Sequence, residues 1–190
     1  MLAIDAILAF GAAASTRMFP FYSDFSEQNH WGDSSALRSA LDFAWQCAEG
    51  REVTRDEIER HGALADMVAR IEPRHGYGWE FTCSHYAALS VASCIDFALS
   101  HQPKDSVAAA EWVFNAAYQA AGYSLFKSIG RMKSTPTSRQ QTLEHPLVQT
   151  ELIRQRRDLD QLCEAADLVR PATIRVLHDR SLEEETLPQT

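Results

Sequence analysis

Apolar residues recur along the chain at the three- and four-residue spacing of an amphipathic α-helix. One apolar face is formed by Leu37, Ala40, Leu41, Ala44 and Trp45. Another is formed by Val148, Leu152, Leu159, Leu162 and Ala166. Residues 83–99 are apolar almost all round, which predicts a central and most buried helix. No segment alternates with the period of two that is typical of a half-buried strand, so the pattern predicts an all-α protein.

Glycine and proline, which are poorly tolerated inside helices, leave long uninterrupted intervals. The intervals that contain neither residue are 33–49, 79–102, 104–121 and 147–170. Strands average only about five or six residues, so intervals of this length predict helices. Asp33 or Ser34 is expected to cap the helix of the first interval, and Pro146 and Pro171 suit the first turn of later helices.

The chain of 190 residues predicts a compact single-domain bundle of about seven to eight helices. We expect an all-helical domain over residues 1–170, followed by a short C-terminal helix and an acidic tail over 171–190. Segment 72–78 predicts a turn-rich connection with exposed aromatic and histidine side chains, and segment 131–142 predicts a mobile loop or linker.

The N-terminal stretch MLAIDAILAFGAAAS has the apolar character of a signal peptide, but it lacks a basic leader and contains Asp5. It therefore predicts a buried first helix. No apolar run reaches the roughly 20 residues of a membrane span, so no membrane association is expected. The four cysteines show no CxxC spacing and lie in apolar patterns, which predicts reduced, buried thiols in a cytoplasmic protein.

The formal net charge is −8, from 26 acidic and 18 basic side chains. Such a balance argues against a nucleic-acid partner, because phosphate binding relies on a surplus of Lys and Arg. The same charge would favour encounter with a basic protein.

Two aspartates are the main candidates for chemistry. Asp42 and Asp96 each lie in an apolar hexamer, ALDFAW and CIDFAL, where a carboxylate must find a partner or change its pKa. One interpretation is a helix flank with an Arg38–Asp42 structural ion pair one turn apart. The other, in which Asp42 and Asp96 face each other as an acid/base pair, depends on tertiary geometry.

Other motifs of chemistry are missing from the sequence. The seven histidines are scattered and show no HExxH motif, so no metal and no cofactor are expected. No GxSxG nucleophile motif or phosphate-binding loop occurs. The basic run RQRR at 154–157 precedes Asp158 and Asp160 at the spacing for Arg154–Asp158 and Arg156–Asp160 pairs, which predicts a solvated face.

Four stretches in this order resemble the YjaG-like bacterial family labelled domain of unknown function 416. They are FGAAASTRMFPFYSDFSE, WGDSSALRSALDFAW, the aromatic YGW before the apolar helix, and EHPLVQTELIRQRRDLDQL. The most specific motif consists of His145, Pro146, Leu147, Gln149, Glu151 and Leu152. The resemblance covers residues 7–168 and implies a compact all-helical domain, but it implies no activity and no catalytic residues.

The favoured hypothesis is a non-enzymatic protein that binds a protein partner, in its most concrete form an immunity-type inhibitor of a basic toxin or nuclease. Its candidate partner-binding residues are Trp31, Asp33, His75, Tyr77 and Trp79. The first alternative is an enzyme with an inter-helical carboxylate site, metal-assisted or not, drawn from Asp33, Asp42, Asp96 and Glu80. The second is a structural subunit that associates with itself as a homo-oligomer.

Overall fold

The computed structural model of the protein describes residues 3–70, 78–129, 139–165 and 170–184. These ranges contain eight helices and no strand, so the all-α prediction is confirmed. The helices are α1 (Ile4–Asn29), α2 (Ser34–Ala48), α3 (Arg55–Ala69), α4 (Trp79–Ser100), α5 (Pro103–Ile129), α6 (Arg139–Leu143), α7 (Pro146–Glu164) and α8 (Arg170–Glu183).

The intervals without glycine and proline match helices well, but several helix ends differ from the prediction. The helix α5 continues through Gly122, and the last interval is divided between α7 and α8. Residues 139–143 form α6, so the loop predicted for 131–142 is wrong over its last part. Its remainder, like most of segment 72–78 and the end of the acidic tail, lies outside the described residues.

The helix α1 forms the axis of the bundle. It packs against α2, α4, α5, α7 and α8, and every residue from Leu8 to Phe19 is buried. The prediction that residues 83–99 form the most buried helix is therefore wrong, although α4 packs on α1, α2, α3 and α5. Small residues allow α1 to approach its neighbours: a Cβ on Gly11 would lie 2.9 Å from Ser106 Oγ and 3.2 Å from Cys94 Sγ.

The C-terminal helix α8 belongs to the same core. It packs against α1 and α7, and its side chains Ile174 and Leu177 are each 1% exposed. None of the described helices combines the length and apolar character that crossing a membrane requires.

Candidate functional site

The sequence Trp31-Gly32-Asp33 forms the turn between α1 and α2, and its geometry explains why these residues stand together. Gly32 has a φ of +75°, and a Cβ there would lie 2.2 Å from the hydroxyl oxygen of Tyr22. That hydroxyl accepts a hydrogen bond from the Asp33 backbone N–H at 3.1 Å. Burial raises the pKa of Tyr22 to about 12. The Tyr22 hydroxyl thus holds the turn through the Asp33 backbone, and the space that it occupies requires glycine at position 32.

Asp33 has a structural task in this turn. Its carboxylate is the N-cap of α2 and accepts hydrogen bonds from Ala36 N–H at 2.9 Å and from the Ser35 hydroxyl at 2.8 Å. The hydrogen bond from Ala36, followed by that from Ser35, lowers the pKa of Asp33. The predicted cap is confirmed.

The two predicted tryptophan anchors lie in aromatic clusters. Trp31 is 5% exposed, and its ring packs against those of Tyr22, Phe25 and Phe81 with centroid distances of 5.1 to 5.7 Å. Its side chain is therefore core and not an exposed anchor. Trp79 is half-buried and stacks on Tyr123 at 4.9 Å. His75 and Tyr77 lie outside the described residues.

The Arg38–Asp42 flank lines a polar groove of about 410 Å³ on α2. The Arg38 guanidinium lies 4.0 Å from the centroid of the Phe19 ring, a cation–π contact. Asp42 is exposed, and the ion pair between the two residues stays a prediction. In the same groove, His61 stacks on Phe43 at 4.1 Å, and burial, with Arg60 second, lowers the pKa of His61.

The carboxylates of the enzymatic alternative have different surroundings. Asp33 caps a helix, Asp42 lies in the polar groove, and Glu80 lies in the first turn of α4. Asp96 is exposed, and its pKa is raised by desolvation and by the negative charges of Asp66 and Asp105. The pairing of Asp42 with Asp96 as an acid/base pair stays a prediction. In the described part of the chain, no three His, Cys, Asp or Glu side chains are arranged to hold a metal ion.

Sequence reasoning missed a buried ion-pair network between α1, α7 and α8. Arg17, which is 2% exposed, donates to Glu151 through Nε at 3.3 Å and Nη2 at 3.0 Å, and to Asp158 through Nη1 at 2.7 Å. Burial alone would lower the pKa of Arg17, but Glu151 and Asp158 outweigh it and raise that pKa. Gln155 donates at 2.9 Å to Glu151 Oε1, the oxygen that also accepts from Arg17 Nη2.

The network continues from Asp158 to the protein surface. Asp158 is fully buried and also accepts from Arg157 at 3.1 Å and Arg180 at 2.7 Å. Arg157 in turn binds both oxygens of Glu184, at 2.7 and 2.9 Å. Burial opposes ionisation of Glu184, but the hydrogen bonds and charge of Arg157 outweigh it and lower the pKa of Glu184.

The prediction of a solvated face for residues 154–160 is therefore wrong in part. The exposed Arg156–Asp160 pair occurs, at 3.7 Å. Arg154 instead lies 3.7 Å from Glu184, because Asp158 points into the bundle. The missed signal was Arg17 itself, a charged residue inside an apolar run that must be paired if that run is buried.

The cysteines divide between the interior and the surface. Cys83 and Cys94 are buried, and burial raises the pKa of each to about 12. Cys47 is half-buried, with its pKa raised by burial to about 11, and Cys163 is exposed. The prediction of buried thiols is thus wrong for Cys163.

Two apolar depressions lie on the surface of the bundle. The first, here called the end cavity, has a volume of about 830 Å³ and lies where α1 and α3 begin and α2 and α4 end. Its lining includes Leu8, Val53, Ile58, Leu99 and Arg51. The second, here called the side groove, has a volume of about 630 Å³ and runs between α1, α5 and α7. Its lining includes Phe10, Val107, Phe114, Leu152 and Leu159.

Comparison with known proteins establishes the family. A family described as "Protein of unknown function (DUF416)" matches residues 2–186. The chain belongs to the DUF416 family. A solved structure of a DUF416 family protein from Shewanella baltica OS155 is similar, with a TM-score of 0.77 and 18% identity. That match covers 96% of this chain and 90% of the other, and it shows the fold alone. No curated protein matches.

In this DUF416 protein, the stretches that carry the resemblance supply the buried network. FGAAASTRMFPFYSDFSE contains Arg17, and EHPLVQTELIRQRRDLDQL contains Glu151 and Asp158. The latter stretch also starts α7: His145 Nδ1 accepts a hydrogen bond from the Leu147 N–H at 3.3 Å, and Pro146 occupies the first turn. The motif thus positions the helix that carries both buried carboxylates.

Proposed function

We propose that this protein binds a basic protein partner and acts by occupying it, without catalysing a reaction. The finer form of the proposal is an immunity-type inhibitor that covers the functional surface of a basic toxin or nuclease. The observation that carries the proposal is the distribution of charge between the interior and the exterior.

Little of the negative charge of the protein is buried. Among the described residues, the buried charged side chains are Arg17, Glu151 and Asp158, which together carry one negative charge. Of the net charge of −8, a charge of −7 therefore belongs to groups outside this buried set. A surface of this kind accelerates encounter with a basic partner and repels acidic ones.

The acidic cluster of Asp66, Asp96 and Asp105 is a concrete place for such a contact. Desolvation, followed by repulsion from Asp66 and Asp105, raises the pKa of Asp96, and Arg70, which pairs with Asp66 at 2.7 Å, acts in the opposite direction. A lysine or arginine from a partner would relieve this repulsion. Met67 on α3 and Leu99 on α4, which are 54% and 40% exposed, provide apolar surface on two of the three helices that carry the cluster.

Charge reversal tests the proposal. The first variant changes Asp66, Asp96 and Asp105 to Lys. The control variant changes three exposed carboxylates elsewhere to Lys, so that both variants have the same net charge; they are Asp24, Glu27 and Glu183. Each protein is immobilised, and host-cell extract is passed over it at low salt. We expect wild type and control to retain one stoichiometric basic protein, and the cluster variant to lose it.

The purified partner then separates the general proposal from its finer form. Its association rate should fall steeply between about 0.02 M and about 0.3 M salt, because screening shortens the range of surface charges. An immunity role further requires that the partner be toxic to the host when this protein is missing. Retention of no stoichiometric partner, or equal loss in both variants, would contradict the proposal.

Self-association is the second candidate, and one observation favours it. Several large apolar side chains are strongly exposed, among them Ile153 at 65%, Phe126 at 59% and Val176 at 53%. Such residues support contact between copies of the chain. Light scattering at increasing concentration distinguishes the two candidates, since a monomer at high concentration excludes the homo-oligomer.

A further inference from the structure

We propose that the end cavity binds a single-chain amphipathic carboxylate, with the hydrocarbon chain between the helices and the carboxylate at Arg51. This site adjoins the proposed contact with a basic protein at Leu99 but requires the opposite charge in its ligand. Its volume of about 830 Å³ lies in the range of small-molecule sites, roughly 300–1,000 Å³.

The walls of the end cavity suit a hydrocarbon chain. They consist mainly of aliphatic side chains from four helices and the α2–α3 connection, including Ile4, Leu8, Val53, Ile58 and Leu99. Ile4 and Leu99 are 50% and 40% exposed, so a ligand would cover apolar surface that now contacts water. Covering that surface favours binding in proportion to the area removed from water.

Arg51 determines the charge of the ligand because it stands between two depressions. Its side chain lines both the apolar end cavity and the polar groove of Arg38, Ser39 and His61. A chain that lies in the end cavity thus meets a guanidinium at the boundary with the polar groove. The charge of Arg51 favours the thiolate of Cys47 and the neutral form of His61, and the charge of its partner Glu57 acts in the opposite direction on the pKa of both groups.

The guanidinium of Arg51 retains capacity for a ligand. It donates through Nη1 to Gln46 and through Nη2 to Glu57 at 3.0 Å. A guanidinium carries five N–H donors, and these two contacts use only part of them. The side chain is 49% exposed, so it is open to an incoming carboxylate.

The other charged groups that line the end cavity are already paired. Arg55 lines it and pairs outward with Glu59 at 2.7 Å. Asp5, its one acidic lining residue in the described chain, lies 3.8 Å from Arg170. The preference for an anionic head group therefore rests on the unused N–H donors of Arg51 and not on a surplus of positive charge.

Calorimetric titration of the full chain with decanoate below its micelle concentration tests the site. Decylamine, decanol and butyrate serve as the cationic, neutral and short-chain comparisons. We expect one decanoate per chain and an affinity at least about 10-fold above that of decylamine. Affinity should rise about 4-fold per added methylene from hexanoate to decanoate, as expected for burial of CH₂ groups.

Variants locate the site. Leu99→Trp fills the end cavity and should abolish decanoate binding, whereas Leu152→Trp, at a residue of nearly equal exposure in the side groove, should leave it unchanged. Val53→Trp provides a second filling variant if Leu99→Trp unfolds the chain. Arg51→Gln should weaken decanoate about 5- to 10-fold and leave decanol unaffected.

Three outcomes would overturn the proposal. Decylamine could bind as tightly as decanoate, affinity could be independent of chain length, or Leu152→Trp could weaken binding as much as Leu99→Trp. The proposal of a basic protein partner is unaffected by any of them, since that proposal rests on exposed carboxylates.

Discussion

Replacing Arg17 with methionine tests the energetics of the buried network. Methionine has a similar length but no donor, so Glu151 loses its contacts at 3.3 and 3.0 Å and keeps only that from Gln155. Asp158 loses one contact at 2.7 Å and keeps Arg157 and Arg180. Removing one partner of a buried ion pair costs about 3–5 kcal/mol because the other charge stays uncompensated.

We therefore expect Arg17→Met to lower the free energy of unfolding by about 3 kcal/mol, at the low end of that range since Asp158 retains two cations. Urea unfolding at pH 7, followed by far-UV circular dichroism, measures this loss of free energy. The two proteins can be compared if the m-value is unchanged. The control is Arg156→Met. Arg156 forms an ion pair with Asp160, and the two side chains are 85% and 65% exposed, respectively. That change should cost less than about 0.5 kcal/mol.

A double variant separates lost attraction from uncompensated charge. In the double variant Arg17→Met with Glu151→Gln, a neutral amide replaces the carboxylate that Arg17 neutralised. No uncompensated charge then remains beside Gln155, so about half of the lost stability should return. A cost below about 1 kcal/mol for Arg17→Met, or a double variant no more stable than the single one, would refute the reasoning that Arg17 neutralises buried charge.

Other parts of the structure give three further predictions. Gly32→Ala should cost at least about 3 kcal/mol by urea unfolding, because a Cβ would lie 2.2 Å from Tyr22, whereas Gly50→Ala, at φ +87° with open space, should cost about 1–2 kcal/mol. Asp33→Ala should lower stability by about 1 kcal/mol, and Asp33→Ser should restore most of it, as thermal unfolding will show. The lowered pKa of Glu184 adds stability above about pH 4.5 that is lost as pH falls through the folded-state pKa, so Glu184→Gln should flatten the unfolding free energy over that range.

The helices could be predicted from the sequence because their signals are local. The long intervals without glycine or proline and the cap at Asp33 depend on neighbours in sequence. The expectation that glycine and proline interrupt helices failed where packing between helices determines the structure. Gly11 and Pro20 both lie inside α1, which continues through them because it is enclosed by other helices and because Gly11 permits close contact with Ser106 and Cys94.

The buried network could not be predicted because its partners are distant in sequence. The spacing of four residues suggested Arg154–Asp158, a pair that a single helix can supply. In the structure Asp158 binds Arg17, 141 residues away, and Arg180 on α8. Glu151 and Asp158 are seven residues apart and so share one face of α7, but only the position of α1 shows that this face is buried.

Burial also changes the interpretation of Trp31 and of the two carboxylates on α7. Trp31 was the natural choice for an exposed anchor, yet its ring fills the space between α1 and α4. Catalysis by Glu151 or Asp158 would need a carboxylate that can exchange protons with a substrate, but the oxygens of both accept hydrogen bonds from charged or amide donors inside the bundle. These carboxylates stabilise the arrangement of α1, α7 and α8. Among the described residues, we therefore propose surface groups for recognition: the acidic cluster around Asp96 for a basic protein and Arg51 for an anionic ligand.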